Sequence, residues 1–234
     1  GRILANTADE VITERTKIVA VTHVGNTTGA ITDIAPIVKR AHEVGAVVVL
    51  DACQSVPHLK IDLHALDVDF AAWSAHKMYG PTGVGFLYGK REMLEALPPA
   101  NFGGSMVELA WMDQEAQYMA PPARFEAGTQ PVAQVVAAGV AAEWLMNIGM
   151  ENLEAHERVI AGELLKMGQI EGVRILGPHA NERRIGTVAF EIEGVHPHDV
   201  GQFIDALGIA IRVGQHCAQP VHRHFGVYAS NRAS

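Results

Sequence analysis

Several things are scarce in this 234-residue chain. It has two cysteines, Cys53 and Cys217, far apart in the sequence. So sparse a set excludes a disulfide framework and makes a reduced, cytoplasmic setting the expectation. There is no Lys/Arg run, and the net charge is −8. That argues against nucleic acid or an anionic membrane as the main partner. No apolar run reaches the ~18 residues that spanning a bilayer requires. The N-terminus lacks the charged region, apolar region and cleavage site of a secretory signal. Internal repeats and low-complexity tracts are also missing. The chain opens at Gly1-Arg2 without Met and almost at once enters Thr16-Lys17-Ile18-Val19-Ala20-Val21, which reads as an interior strand. It stops at Arg232-Ala233-Ser234, so a piece of a longer protein is expected.

What is present fits a globular protein with a sizeable core: 48% of residues are apolar and 19% charged. The length suits one large domain or two small ones. A β-branched run over residues 17–22 leads into His23-Val24-Gly25-Asn26-Thr27-Thr28-Gly29, a polar, Gly-rich loop. Asp33 could cap the next helix, where Ile34, Ile37, Val38, Ala41 and Val44 recur at helical spacing and Gly45 marks a stop. Ala46-Val47-Val48-Val49-Leu50 is a continuous apolar run of the kind buried on both faces. Further strands are expected at residues 70–73 and 84–88, and loop from 101 to 122. Helices are expected from about 131 to 146 and 150 to 167. Strands of a different sheet fall at 173–176, 185–192 and 209–213, with a helix at 198–207. Alternating strands and helices predict an α/β fold with a mainly parallel sheet covered on both sides. A domain boundary is placed near residue 150. Residues 1–150 are then a large domain, and 151–234 a smaller C-terminal α+β domain.

In such sheets ligands collect beyond the carboxyl ends of the strands, where Asn26, Asp51 and Ser74 to Lys77 fall. Lys77 sits between Ser74-Ala75-His76 and the turn Gly80-Pro81-Thr82-Gly83. A lysine just past a buried strand can be desolvated, which favours the neutral amine as a nucleophile toward carbonyls. Lys77 is therefore a candidate to hold pyridoxal phosphate as a Schiff base; the alternative is an ordinary surface lysine. Asp51 could pair with a protonated pyridine nitrogen, making the ring an electron sink, or could cap the following turn. Gln54 could donate to the ring's phenolic oxygen. Ser74, His76 and Thr129 could bind the phosphate, although Thr129 is equally a helix cap. Cys217 lies in a Gly/Pro-bounded loop beside His216 and near Arg212, a setting that favours a reactive thiolate; a buried, inert Cys is the alternative. Cys53, after a core strand, reads as inert. His216, Cys217, His222 and His224 form a Cys/His cluster without a standard zinc spacing, so no metal site is expected. His196-Pro197-His198 reads as a helix entry.

Seven motifs in order carry a resemblance. They are Thr22-His23-Val24-Gly25-Asn26, Asp51-Ala52-Cys53-Gln54, the Ser74 to Gly83 stretch, Gly103-Gly104-Ser105-Met106, Arg124-Phe125-Glu126-Ala127-Gly128-Thr129, Arg212-Val213-Gly214-Gln215-His216-Cys217-Ala218, and Arg232-Ala233-Ser234. The chain resembles, over essentially its whole length, the C-terminal part of a Suf-type (group II) cysteine desulfurase. That family lies within the fold type I, class V aminotransferase-like enzymes, which use pyridoxal phosphate. The resemblance implies that Lys77 carries the cofactor and moves the Cα proton of the substrate. It implies that Asp51 binds the pyridine nitrogen, Gln54 the phenolic oxygen, and Ser74 and His76 the phosphate. Thr129 would reach the phosphate of a neighbouring subunit, which requires a homodimer. Asn26 and Arg232 would bind the substrate carboxylate, with Arg212 close to the cysteine. Cys217 would take sulfur from L-cysteine as a persulfide, release L-alanine, and pass the sulfur to a Suf-type acceptor protein for iron–sulfur cluster assembly. L-Selenocysteine is a second substrate on this reading.

The chain departs from the family pattern at three places. Gln215 stands where His is usual, Gly25 where Ser is common, and Gln130 where Pro is common. The family's N-terminal block, which supplies a phosphate-binding Gly/Thr turn and a His that stacks on the ring, has no counterpart here. Weak or no activity is expected of this chain alone. The alternatives are a kynureninase-like or epimerase-like class V enzyme, which needs Lys77 and Asp51 but no Cys217, and a non-catalytic interaction module.

Overall fold

The computed structural model describes residues 7–179 and 183–234; Gly1 and Arg2, the opening read as a sign of truncation, lie outside the described residues. A short helix α1 (Ala8–Val11) precedes strand β1 (Ile18–Thr22), helix α2 (Ala35–Glu43) and strands β2 (Val47–Asp51), β3 (Phe70–Ser74) and β4 (Gly85–Gly89). These strands form one sheet in the order β1-β2-β3-β4, with β1, β2 and β3 parallel and β4 antiparallel. The α2 face carrying Ile37, Val38 and Ala41 packs with Val48, Leu50 and Ala71 in the main core. Asp33 does not cap α2, because its carboxylate accepts from Arg183 Nη1 at 3.0 Å. Ile34 takes the cap position without a side-chain bond.

The sheet departs from the expectation of two covered faces. Register places Ala20, Val49, Phe70 and Gly89 in one row, and Thr22, Asp51, Ala72 and Leu87 in the next. Successive residues on a strand point to opposite faces, so both rows share a face. On it Ile18, Ala20, Asp51, Ala72 and Leu87 are exposed. Leu94 reaches Phe70 and Gly89 at the β4 edge, but these five residues meet solvent. The apolar run of β2 is thus buried on one side and open on the other.

After α3 (Arg91–Ala96), the stretch expected to be loop contains a small hairpin, β5 (Val107–Leu109) with β6 (Gln117–Tyr118). Helix α4 (Val132–Ile148) starts after Pro131, so Thr129 is not its cap. It buries Ala138, Ala141 and Leu145 but leaves Val132, Val136, Val140 and Trp144 exposed. A helix apolar all round normally has neighbours on every side. Gly149 (φ +87°) closes α4 and opens α5 (Met150–Leu165). No single helix is long and apolar enough to cross a membrane. The two helices together reach that length and apolarity, but with a 76° bend between them.

The second sheet is antiparallel, in the order β7 (Val173–Leu176), β8 (Val188–Ile192), β10 (Ser230–Ala233), β9 (Arg212–Gly214). Helix α6 (Pro197–Asp205) covers a core of Ile175, Val188, Phe190 and Val200, and the short α7 (Gln219–Phe225) precedes β10. β8 is shorter than its sequence suggests because residues 184–187 are diverted to the joint with the first sheet. There Ile185 N donates to Gly29 O, and Ala30 bridges Arg184. The buried Arg184 guanidinium donates to Thr28 O at 3.1 Å, to Thr187 O at 2.6 Å and to Pro178 O. Burial lowers its pKa to about 10. Gly29 (φ +67°) lies so close to Thr187 O that a Cβ would sit 2.4 Å from it. A second contact joins the halves: His58 Nδ1 meets Glu157 Oε1 at 2.8 Å, and Glu157 Oε2 accepts from Gly186 N at 2.5 Å.

Asn231 lies opposite Phe190 and Val213, fully buried, with neither amide atom bonded among the described residues. An unmet buried amide costs about 1–3 kcal/mol. Replacing it by Val, a good strand former, is expected to raise the urea-unfolding midpoint by the equivalent of about 1 kcal/mol or more. A lower midpoint would show that the amide has a partner in solution.

Candidate active site

Three strand ends of the first sheet and one loop of the second converge. Beyond β1, His23 N donates to Asp51 O at 3.0 Å, which extends the parallel pairing by one residue. The chain then folds back through Gly25 N to Ala30 O (2.9 Å) and Gly29 N to Gly25 O (2.8 Å), and Asn26 stands in this tight loop. At the end of β2, Asp51 Oδ1 accepts from Cys53 N at 3.0 Å. One carboxylate oxygen therefore does cap the turn. At the end of β3 a single 3-10 turn (Ala75–Lys77) carries Lys77, and Met78 N and Gly80 N both return to Ala75 O at 2.9 Å.

Asn26, Asp51, Gln54, Lys77 and Cys217 line one cavity of about 490 Å3. The other expected residues stand apart from its lining. Ser74 is half-buried at the end of β3, His76 is exposed on the turn, and Thr129 is exposed before α4. Arg212 and Arg232 lie side by side on β9 and β10. Lys77 is exposed, so the described residues do not supply the desolvation expected for it.

Cys53 also lines the cavity, which its reading as an inert core residue did not anticipate. Burial pushes its thiol pKa up, with the Asp51 hydrogen bond and charge adding to that and Lys77 and Ser74 opposing. The raised pKa leaves less of it as the nucleophilic thiolate, and the residue forms part of the wall. Thr27 and Thr28 line the cavity too; the polar loop after β1 was the sequence signal for them. Arg184, which anchors that loop at Thr28 O, gave none, because the partners it meets are backbone carbonyls, which side-chain identity does not mark.

The Cys217 loop is tied to the first sheet by Asn26. Asn26 Nδ2 donates to His216 O at 2.6 Å, and Arg232 Nη1 donates to Asn26 O at 3.0 Å. Arg232 Nε is buried without a partner among the described residues. Burial lowers the Arg232 pKa first, Arg212 adds to this, and Cys217 opposes it, so the thiol lies within electrostatic range of the guanidinium. His216 is buried, and its Nε2 donates to Ser230 O at 3.2 Å. Burial, helped by the charges of Arg232 and His222, lowers its pKa to about 4.

These residues provide a carboxylate, an amide, a primary amine and a thiol around one cavity, with a half-satisfied guanidinium beside it. The carboxylate, amide and amine suit the nitrogen, phenolic oxygen and aldehyde of a pyridoxal group. The aminotransferase class-V family matches residues 1–234. The chain is 52% identical over 222 residues to "Probable cysteine desulfurase 2" of Mycobacterium leprae, covering 94% of this chain and 53% of that protein. It is 46% identical over 235 residues to "Probable cysteine desulfurase" of Streptomyces coelicolor, covering 100% of this chain and 56% of that protein. Among solved structures, the cysteine desulfurase CsdA of Escherichia coli (S-sulfonic acid) superposes with a TM-score of 0.91 at 38% identity, over 98% of this chain and 57% of that one. The apo cysteine desulfurase of Thermococcus onnurineus NA1 gives 0.93 at 34%, over 100% and 58%. The chain spans about half the length of the curated relatives it matches.

The depressed His216 pKa sets a pH dependence. The unfolded chain protonates this ring near pH 6.5, the folded chain only near 4, so its contribution is intact above 6.5 and is lost as pH falls toward 4. The unfolding free energy is expected to drop by about 2–3 kcal/mol over that window through this group. Denaturant titrations at pH 7 and pH 4 measure the drop, and His216→Gln should flatten it.

Proposed function

Because the chain belongs to the aminotransferase class-V family, we propose that it is part of a pyridoxal-phosphate-dependent cysteine desulfurase of the Suf type. The observation that carries the proposal is the presence of Cys217 and Lys77 on one cavity with Asp51, Gln54 and Asn26. Other class V chemistries need Lys77 and Asp51 but have no use for a thiol there.

In this reading Lys77 holds the cofactor, Asp51 faces its pyridine nitrogen, Gln54 its phenolic oxygen, and Ser74 and His76 its phosphate. Bound pyridoxal phosphate supplies an electron sink for the carbanion formed at the substrate Cα. Lys77 removes the Cα proton of L-cysteine. Arg232, aided by Asn26, holds the substrate carboxylate. The Cys217 thiolate attacks the substrate sulfur: an S–S bond forms as the Cβ–S bond breaks. The electron pair goes to the carbon, which takes up a proton and leaves as L-alanine. Cys217 keeps the sulfur as a persulfide for an acceptor protein, and L-selenocysteine is a second substrate.

Thr129, exposed and outside this cavity, is assigned to the cofactor phosphate of a second subunit, which makes the working form a homodimer. The open sheet face beside Asp51 and the exposed apolar side of α4 fit a protein completed by further polypeptide, as the length of the relatives suggests. The division near Gly149 into a large and a small domain belongs to the same proposal.

A full-length protein is expected to show a visible absorbance band that is lost in Lys77→Ala. Cys217→Ser should keep the band but release no sulfide from L-cysteine. Absence of the band, or sulfide release surviving in Cys217→Ser, would sink the proposal. The 234-residue chain alone is expected to turn over L-cysteine weakly or not at all.

A further inference from the structure

His222 has no part in the chemistry above, yet it is 2% exposed and both its ring nitrogens are engaged. Nδ1 lies 3.0 Å from Ala218 O. A carbonyl cannot donate, so Nδ1 carries the proton. In the neutral ring Nε2 then accepts from the Ser230 hydroxyl at 2.9 Å. The Ser230 carbonyl in turn accepts from His216 Nε2. Ser230, fully buried on β10, is therefore the fixed point for both histidines that flank the thiol loop.

The result is a clasp on Cys217 from both sides. The carbonyl before it, His216 O, is held by Asn26, and the carbonyl after it, Ala218 O, is held by the His222 ring as well as by the first backbone bonds of α7. Such a clasp is needed, because His216 (φ +50°) and Cys217 (φ +57°) both occupy the left-handed region. Residues other than glycine stay there only when their surroundings over-determine it. Helix α7 has seven residues and is too short to hold its own first turn firmly.

We propose that His222 is the positioning residue for Cys217. Its Nδ1–H bond locks the 216–218 turn to β10, keeping the thiol on the cavity and within reach of the Arg232 charge. The inference rests on the role proposed for Cys217 as sulfur acceptor. A freed turn lets the thiol drift from Arg232, whose nearby charge favours attack by the sulfur at that position.

The test is the rate of Cys217 alkylation by iodoacetamide in the 234-residue chain, followed by peptide mass with Cys53 as internal reference. His222→Phe fills the space without the bond and is expected to slow Cys217 about tenfold while leaving Cys53 unchanged. His222→Asn places an amide donor near Nδ1 and should restore the rate to within about threefold. Ser230→Ala, which removes only the hydroxyl that orients the ring, should slow Cys217 by an intermediate factor, and it serves where the Phe variant fails to fold. Full-rate alkylation in Ser230→Ala and His222→Phe, or equal slowing by Phe and Asn, overturns the proposal. In the full-length protein His222→Phe should lower kcat for sulfide release and leave KM unchanged; a rise in KM alone also overturns it. If alkylation follows the expected pattern but the full-length wild type releases no sulfide, the positioning role stands and the desulfurase reading falls.

Discussion

The site depends on the double engagement of Asn26. Its side chain donates across to His216 O, and its own carbonyl receives Arg232. Asn26 belongs to the loop that ends β1, while His216 and Arg232 belong to the second sheet. Without this pair of bonds the Cys217 loop would have no fixed relation to the carboxyl ends of β2 and β3. With it, a thiol from one sheet and an amine from the other share a cavity.

That contact needs support, because two part-buried hydrogen bonds are worth only about 1 kcal/mol each. The support lies one layer deeper, where water is excluded. Arg184 joins Thr28 O to Thr187 O, Gly29 lets the two backbones meet, and Glu157 ties His58 to Gly186. A buried guanidinium met only by carbonyls is costly to strand, so removing any of these partners is more damaging than their number suggests. The Asn26 loop is thus braced from behind and engaged in front.

The chain is finished on one side and open on the other. The α2 side of the first sheet is a dry core, whereas the side bearing Asp51 and the row beneath it meets solvent. Lys77 and the apolar outer face of α4 are likewise exposed. Reactivity at Lys77 therefore requires surroundings that the described residues do not furnish.

The sequence by itself determined the longer elements and the strand-end positions of Asn26, Asp51 and Lys77, but not the short α1, α3 and α7 or the terminal strand β10. Periodicity and β-branched runs are local properties, and polar residues just past apolar strands announce themselves. The motif order also pointed to the family and its cofactor. It did not reveal the open face, because an apolar run reads alike whether one or both sides are covered. The β5–β6 hairpin escaped for a related reason: three- and two-residue strands carry no period. Only the tertiary structure decided how Cys217 is held. Asn26, Arg184 and His222 each bond a backbone carbonyl, and a carbonyl leaves no trace in side-chain identity.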